Sequence, residues 1–232
     1  MARKASHSIA YRLTKFETIA GWLYLPFYLL ILNLLLQLAN EKFSLGMTAL
    51  TMNIVYFAVN LLAVLLIFHG FLRPSFFGGS FWNFVQALVL GFAMYYAGTW
   101  VLQFALSKLA PGFTIYNNET VGSLISDNQY VMLAVTVFLA PIIEETLVRG
   151  LVFGSIQPTS RIMAYLVSVV LFTLMHNWQY FMLYPAGKVL LSCIPYLPAS
   201  VATYEKAGTI WASISLHAIV NALSFGLLQL NF

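Results

Sequence analysis

The stretch YVMLAVTVFLAPIIEETLVRGLVFGSI, residues 130–156, decides the fold. It is almost wholly apolar, and it is longer than the roughly 20 residues that an α-helix needs to cross a bilayer. Its only charged side chains are Glu144, Glu145 and Arg149. Every backbone polar group in hydrocarbon must be satisfied within its own segment, so the stretch predicts a membrane-spanning helix.

The rest of the chain has the same character. Of its 232 residues, 61% are hydrophobic and 8% are charged, and the mean hydropathy is +0.84. Soluble domains contain roughly 45–50% apolar and about 25% charged residues, so this composition excludes a water-soluble globule. We therefore predict an all-α fold, a polytopic transmembrane bundle of about seven helices, with a range of six to eight. The predicted spans are residues 18–39, 50–70, 81–106, 130–156, 162–183, 186–204 and 208–230.

The basic residues predict how the bundle is oriented. Cytoplasmic loops of membrane proteins carry an excess of Lys and Arg. With a cytoplasmic N-terminus, eight cations fall inside and three outside: Arg3, Lys4, Arg12, Lys15, Arg73, Arg149, Arg161 and Lys206 against Lys42, Lys108 and Lys188. The chain is thus predicted to be one multi-pass domain, residues 1–232, of the cytoplasmic membrane. Residues 1–17 are predicted to form a basic cytoplasmic tail.

Composition also limits the partners. The net charge of +4 follows from this topology, and no stripe of Lys and Arg among aromatic residues lies outside the tail. Nucleic acid is therefore not an expected partner, whereas the lipid bilayer and a membrane-associated peptide or protein substrate are. The single cysteine, Cys193, excludes an internal disulfide and a multi-cysteine metal site.

Three predicted spans contain polar groups where such groups are costly. An ionisable side chain within a span costs roughly 2.5–3.5 kcal/mol on insertion scales, so each one is a candidate for function. The first group comprises Glu144, Glu145 and Arg149, the second is His176, and the third is His217 with Asn221. At about 1.5 Å of rise per residue, four of them lie roughly 14–21 Å from the cytoplasmic ends of their spans: Glu144, His176, His217 and Asn221. A similar depth on three helices is what one buried site requires.

The spacing within the groups separates their expected roles. Glu145 and Arg149 are four residues apart, so they share one helix face and are predicted to form a structural ion pair. Glu144 points about 100° away from Glu145, which leaves it outside that pair and suited to general acid or base chemistry. His217 and Asn221 are also four apart and present an imidazole and an amide side by side.

Each of these residues taken alone also has a simpler interpretation. A lone histidine or asparagine in a membrane helix commonly forms a packing hydrogen bond between helices. Phe172, one turn before His176, is most simply a packing residue that fixes the imidazole ring. The joint occurrence of two acids, two histidines and an amide at matching depth favours a site.

These residues, in this order, resemble the signature of the CPBP (Abi) family of intramembrane proteases, which includes the CAAX-processing type II endopeptidases. The family pattern is Glu-Glu-x-x-x-Arg, then Phe-x-x-x-His, then His-x-x-x-Asn, each on a separate membrane helix. All seven positions are met: Glu144, Glu145, Arg149, Phe172, His176, His217 and Asn221. The resemblance covers residues 130–225, the predicted catalytic core, while the first three spans match only as generic membrane helices. Val148 departs from the pattern, because an aromatic residue often precedes the Arg-Gly in this family.

The resemblance implies a division of labour among these side chains. Glu144 and His176 would activate a water molecule that attacks a peptide carbonyl. His217 and Asn221 would stabilise the oxyanion, and donors of this kind are worth about 3–4 kcal/mol apiece. Glu145 with Arg149 would brace the site.

The cofactor is either absent or Zn²⁺. Two histidines and a glutamate make a credible catalytic zinc set, which here would be Glu144, His176 and His217. However, the sequence has no His-Glu-x-x-His, and these ligands would have to converge from three helices. A glutamate-based mechanism without a metal is the favoured expectation.

The leading hypothesis is an endopeptidase that hydrolyses membrane-associated peptides or proteins, in a bacterium as the compact size suggests. Prenylated CAAX substrates are then less expected than peptide pheromones, bacteriocin leaders or regulated membrane proteins. The alternatives are a non-catalytic role in bacteriocin self-immunity or as a scaffold, and an accessory role in lipoprotein modification. A transporter is least expected, since the chain shows no inverted repeat.

Overall fold

In the computed structural model, residues 11–76, 78–109, 128–177 and 199–230 are described, and they form eight helices. These are α1 (Lys15–Lys42), α2 (Ala49–Ile67), α3 (His69–Phe76), α4 (Phe81–Leu109), α5 (Gln129–Ile156), α6 (Arg161–Asn177), α7 (Ala199–Ala207) and α8 (Ile210–Leu230). Three π-helical segments interrupt two of them, at Phe27–Ile31 in α1 and at Val135–Leu139 and Thr146–Phe153 in α5.

The predicted all-α membrane bundle is confirmed. Within the described ranges, four helices are long and apolar enough to cross a membrane, namely α1, α2, α4 and α5, and α6 and α8 are shorter apolar helices. Most of the predicted span 186–204 lies outside the described residues. The second predicted span ran to residue 70, but helix α2 ends at Ile67 and a separate short helix, α3, begins at His69. The chain is a multi-pass membrane protein.

Helix α5 lies at the centre of the bundle. In its most apolar window 61% of the residues are buried, against 11–22% in the other three long helices. Ile143, Leu147 and Leu151 on α5 are fully buried and belong to the main core, which α1, α2, α3, α6, α7 and α8 also join. The outer helices expose large apolar side chains such as Leu23 and Trp100, as expected for surfaces in contact with lipid. The apolar neighbouring helices thus separate α5, which carries Glu144, Glu145 and Arg149, from the surrounding lipid.

The N-terminal tail is shorter than predicted, because Glu17 already belongs to the first helix. Residues 1–17 were expected to form a tail, but α1 already begins at Lys15, with Thr14 as its N-cap. Thr14 and Glu17 form a capping box, in which the Glu17 Oε2 accepts from the Thr14 N–H at 2.8 Å. The second carboxylate oxygen accepts from the Phe71 N–H at 2.7 Å, and Glu17 is 2% exposed. This carboxylate therefore satisfies backbone donors of α1 and α3 and joins the two helices.

Close packing of α1 against the core depends on Gly21. A Cβ atom at this position would lie 2.7 Å from Cζ of Phe68 and 2.9 Å from Cδ1 of Leu151. Both neighbours are fully buried, so neither has free space into which it can move. The hydrogen side chain is what lets α1 approach α5.

We expect Gly21→Ala to lower the free energy of unfolding in detergent by about 1–3 kcal/mol, because the added methyl group overpacks the contact. Gly226→Ala is the matched control, since Gly226 also lies inside a helix but a Cβ there meets nothing within 4 Å. The control should be neutral or stabilising. Equal thermal unfolding of the two variants would contradict the packing role of Gly21.

Candidate active site

Two π-helical segments flank the glutamates of α5. The α-helical turn Ala140–Glu145 lies between the π segments Val135–Leu139 and Thr146–Phe153. π-bulges change which side chains face a common direction, and they occur frequently at functional sites. Here both neighbouring glutamates are buried, with Glu144 7% and Glu145 0% exposed. Two adjacent buried acids inside one membrane helix require compensating partners.

Glu144 lies between two histidines from different helices. Its Oε2 is 3.4 Å from Nε2 of His176 on α6 and 3.9 Å from Nε2 of His217 on α8. The three side chains are each 9–13% exposed. The structure therefore brings together three of the predicted site residues from three helices, at the common depth expected from their positions in the sequence.

The other ring nitrogen of each histidine is held by an acceptor. Nδ1 of His176 lies 2.8 Å from the Phe172 carbonyl oxygen, and Nδ1 of His217 lies 3.1 Å from Oε1 of Glu145. Because a carbonyl and a carboxylate only accept, each Nδ1 carries a hydrogen. The Nε2 atom of each ring then faces Glu144, where it accepts a hydrogen when the ring is neutral and donates one when the ring is protonated.

This arrangement concentrates acceptors at one point. Oε2 of Glu144 is buried and has no hydrogen-bond partner among the described residues. A carboxylate and two imidazole lone pairs do not stabilise one another, so the cluster needs a proton or a donor molecule between them. A water molecule, which donates two hydrogens, meets that need.

The ion pair predicted within α5 is present. Nε of Arg149 lies 3.4 Å from Oε2 of Glu145, and both side chains are 1% exposed. Glu145 therefore contacts Arg149 through one oxygen and His217 through the other. Removal of either partner of a buried ion pair destabilises a protein, because it leaves an uncompensated charge in a medium that solvates it poorly.

Phe172 packs against Arg149, His176 and His217. The Arg149 guanidinium carbon lies 4.1 Å from the centre of the Phe172 ring. The same ring lies 4.5 Å from the His176 ring and 5.7 Å from the His217 ring, the latter edge-on. Phe172 is 2% exposed. It thus fixes the orientations of both imidazoles and adds a cation–π contact to the arginine.

Asn221 is tied to α5 through a carbonyl that Pro141 leaves free. In the first π segment the Ala140 N–H bonds to the Val135 carbonyl, and the next residue, Pro141, has no N–H. The Thr136 carbonyl accordingly accepts from Nδ2 of Asn221 instead, at 2.7 Å. An amide NH₂ has two hydrogens, so this bond positions Asn221 while using one of them.

Sequence reasoning missed a pair of tyrosines beside the cluster. Tyr28 in the π segment of α1 is 4% exposed, and Tyr56 of α2 donates its hydroxyl hydrogen to the Tyr28 carbonyl at 2.7 Å. The two rings are 5.7 Å apart, and both phenols lie within electrostatic range of Glu144. From the N-terminal side of the bundle, all three lie roughly 16–20 Å deep.

A weak signal in the sequence could have revealed this pair. Tyr24 and Tyr28 are four apart on α1, and Tyr56 and Asn60 are four apart on α2. Asn60 is fully buried, donates to the Tyr56 carbonyl at 2.8 Å and accepts from the Tyr24 hydroxyl. Polar groups at helical spacing on two adjacent spans predict a polar contact between them, but a search limited to ionisable residues does not register it.

The comparisons with known proteins concern the part of the chain that carries these residues. Residues 126–223 match the family model described as type II CAAX prenyl endopeptidase Rce1-like, and all seven motif residues lie within the match. The resemblance predicted from the motifs is confirmed for this part of the chain, and it indicates a CAAX-type intramembrane protease at the level of the family. No curated protein and no solved structure matches the chain.

We expect Glu145→Gln to lower the free energy of unfolding by about 3–5 kcal/mol, because the buried Arg149 charge loses its carboxylate. Glu144→Gln is the matched control on the neighbouring residue, and it should change stability much less, since it leaves the Arg149–Glu145 ion pair intact. Thermal unfolding in detergent measures both. Equal destabilisation by the two variants would contradict the structural role of Glu145.

The role of Pro141 is tested by a double-mutant cycle. Asn221→Ala should lower the free energy of unfolding by about 1–3 kcal/mol, because it leaves the Thr136 carbonyl without a donor. In the Pro141→Ala background, the new N–H can satisfy that carbonyl, so the same substitution should cost less. An identical cost in both backgrounds would show that the proline does not free the carbonyl for Asn221.

Proposed function

We propose that this chain, whose residues 126–223 match the Rce1-like family, is an endopeptidase that hydrolyses membrane-associated peptides or proteins inside the bilayer. The observation that carries the proposal is the convergence of Glu144 with the Nε2 atoms of His176 and His217, each ring being held at its Nδ1. This geometry suits the activation of a water molecule, because Glu144 and Nε2 of His176 can accept its protons at the point that Nε2 of His217 also faces.

The proposed reaction begins at Glu144. A water molecule between Glu144 and His176 gives up a proton to this pair as its oxygen attacks the peptide carbonyl carbon. The tetrahedral intermediate then collapses, the carbon–nitrogen bond breaks, and the proton passes to the leaving amine. The products are a carboxylic acid and an amine, which ionise to a carboxylate and an ammonium group, so the step consumes one water and needs no further reactant.

His217 and Asn221 are proposed to stabilise the oxyanion. A protonated His217 directs its Nε2–H towards the reacting centre, while the Glu145 carboxylate accepts its Nδ1–H and stabilises the imidazolium. Arg149 in turn balances the charge of Glu145. The remaining Asn221 amide hydrogen is the second proposed donor. Tyr28 and Tyr56, at the same depth, are proposed to line the water side of the cavity.

Zinc is the cofactor that the residues themselves would suggest, with Glu144, His176 and His217 as its ligands. The described part of the chain, however, contains no group of three or more His, Cys, Asp or Glu side chains arranged to hold a metal ion. We propose a glutamate-based reaction with no step through a metal.

The proposed location is the cytoplasmic membrane, with the N-terminus inside. The cations of the described residues support this orientation, since Arg12, Lys15, Arg73 and Arg161 lie at the helix ends on the N-terminal side of the bundle. Lys42 and Lys108 lie at the opposite ends of α1 and α4. This distribution is the asymmetry that the positive-inside rule describes.

We expect Glu144→Gln to reduce peptide cleavage by at least about 100-fold, because an amide cannot accept the proton of the water. The assay reconstitutes the full chain in vesicles with a broad panel of membrane-associated peptides and detects products by mass spectrometry. Glu41→Gln is the control, since Glu41 is an exposed carboxylate at the far end of α1. It should leave cleavage unchanged.

Two outcomes would overturn this proposal. Cleavage by the wild type that Glu144→Gln leaves intact would exclude Glu144 as the base. No cleavage of any peptide by folded wild-type protein, together with a cellular phenotype that tolerates Glu144→Gln, would indicate a non-catalytic immunity or scaffold role. Metal analysis of the active protein tests the chemistry separately, because stoichiometric zinc required for cleavage would exclude the metal-free reaction.

A further inference from the structure

A cavity of about 240 Å³ lies on the N-terminal side of the bundle, away from the glutamates. Its walls come from the chain that leads into α1, from the C-terminal end of α5 and from α7. The residues that define its chemistry are Arg12, Thr18, Gly150, Gly154, Ser155 and Tyr204. The proposed peptide hydrolysis makes no use of it.

The cavity is positively charged. Among the described residues that line it, Arg12 is the one charged side chain, and none is acidic. Among the described residues, Arg12 forms no ion pair within 4 Å, whereas Arg161 is paired with Glu205 at 2.7 Å. A guanidinium offers five N–H donors in a planar fork that matches the oxygens of an anion.

Two hydroxyl-bearing residues, Ser155 and Tyr204, line the same cavity as this guanidinium. Oγ of Ser155 is buried and has no hydrogen-bond partner among the described residues. A serine in a helix normally bonds a backbone carbonyl one turn back or faces water, so a buried hydroxyl without a partner is a cost that a ligand can remove. Tyr204 is 1% exposed, and its phenol lies within electrostatic range of Arg12.

Two glycines make room for a ligand. Gly150 and Gly154 are four apart on α5, so they leave one face of this helix without side chains at the cavity. A Cβ on Gly154 would meet only the Arg149 carbonyl, at 3.7 Å. At Gly150 a Cβ would lie 3.0 Å from Cε1 of Phe71, so that glycine also permits close packing against α3. A larger residue at Gly154, in contrast, would fill the cavity.

We propose that this cavity binds a phosphate group, and that its source is the anionic headgroup of a membrane phospholipid. A guanidinium and two hydroxyl donors without an acid are the chemistry that recognises a phosphate. The cavity lies at the start of α1, where a basic segment meets the membrane, and basic pockets between membrane helices bind lipid headgroups at this level. The proposal does not depend on the proposed hydrolysis.

The test measures lipid retention by the full chain. Protein purified from vesicles of phosphatidylglycerol and phosphatidylcholine is analysed by native mass spectrometry, and the wild type should retain one phosphatidylglycerol per chain. The double variant Arg12→Gln/Ser155→Ala should bind it at least about tenfold more weakly, because a charge-assisted hydrogen bond is lost. Gly154→Val, which fills the cavity, should have the same effect.

Controls separate this site from surface charge and from misfolding. Arg73→Gln removes an exposed arginine at the end of α3 that does not line the cavity, and it should retain lipid like the wild type. Thermal unfolding of every variant in detergent verifies the fold. Equal lipid retention by the wild type, the double variant and Gly154→Val would overturn the proposal, as would an equal loss in Arg73→Gln.

A competition experiment distinguishes the two sources of the phosphate. Millimolar glycerol 3-phosphate or inorganic phosphate is added to the wild type that carries phosphatidylglycerol. Retention of the lipid supports a headgroup site. Displacement of the lipid, with the same sensitivity to Arg12→Gln, would overturn the lipid source and assign the phosphate site to a soluble ester.

Discussion

The buried charge of Arg149 is the constraint on which the rest of the structure depends. A guanidinium that is 1% exposed inside an apolar bundle must be compensated, and Glu145 supplies the compensation from the preceding turn. The same carboxylate holds His217 through its other oxygen, and the face of the guanidinium packs on Phe172. One electrostatic requirement on α5 thereby fixes side chains on α6 and α8, and it leaves Glu144 as the carboxylate that faces both imidazoles.

The second organising feature is the break in regular hydrogen bonding along α5. Pro141 cannot donate to the turn before it, and the π segment that precedes this turn directs the Ala140 N–H to Val135. The Thr136 carbonyl then bonds Asn221 on α8. The irregular hydrogen bonding of α5 thus provides a hydrogen bond between α5 and α8, one turn from His217 on α8. The π segments therefore contribute to the geometry of the candidate site.

The first two helices contribute more than membrane insertion. Glu17 satisfies backbone donors at the start of α1 and at Phe71, and Gly21 allows α1 to approach Leu151. These contacts place Tyr28 next to Tyr56 and within electrostatic range of Glu144. On the N-terminal side the same approach of α1 to α5 encloses the cavity of Arg12 and Ser155. The packing of α1 therefore shapes two polar environments at different depths in the membrane.

The sequence by itself determined the fold class and predicted the residues of the candidate site. Scarce charges in long apolar runs are sufficient for this, because hydrocarbon penalises each polar group whatever its neighbours are. The four-residue spacing also predicted the pair of Glu145 and Arg149, since both lie on one helix. Only the tertiary structure decided which nitrogen of each histidine faces Glu144, that Asn221 bonds Thr136, and that Glu17, Tyr28 and Tyr56 belong to the polar interior. These outcomes depend on contacts between helices that are distant in sequence, and helical periodicity specifies a face of one helix but not the helix that packs against it.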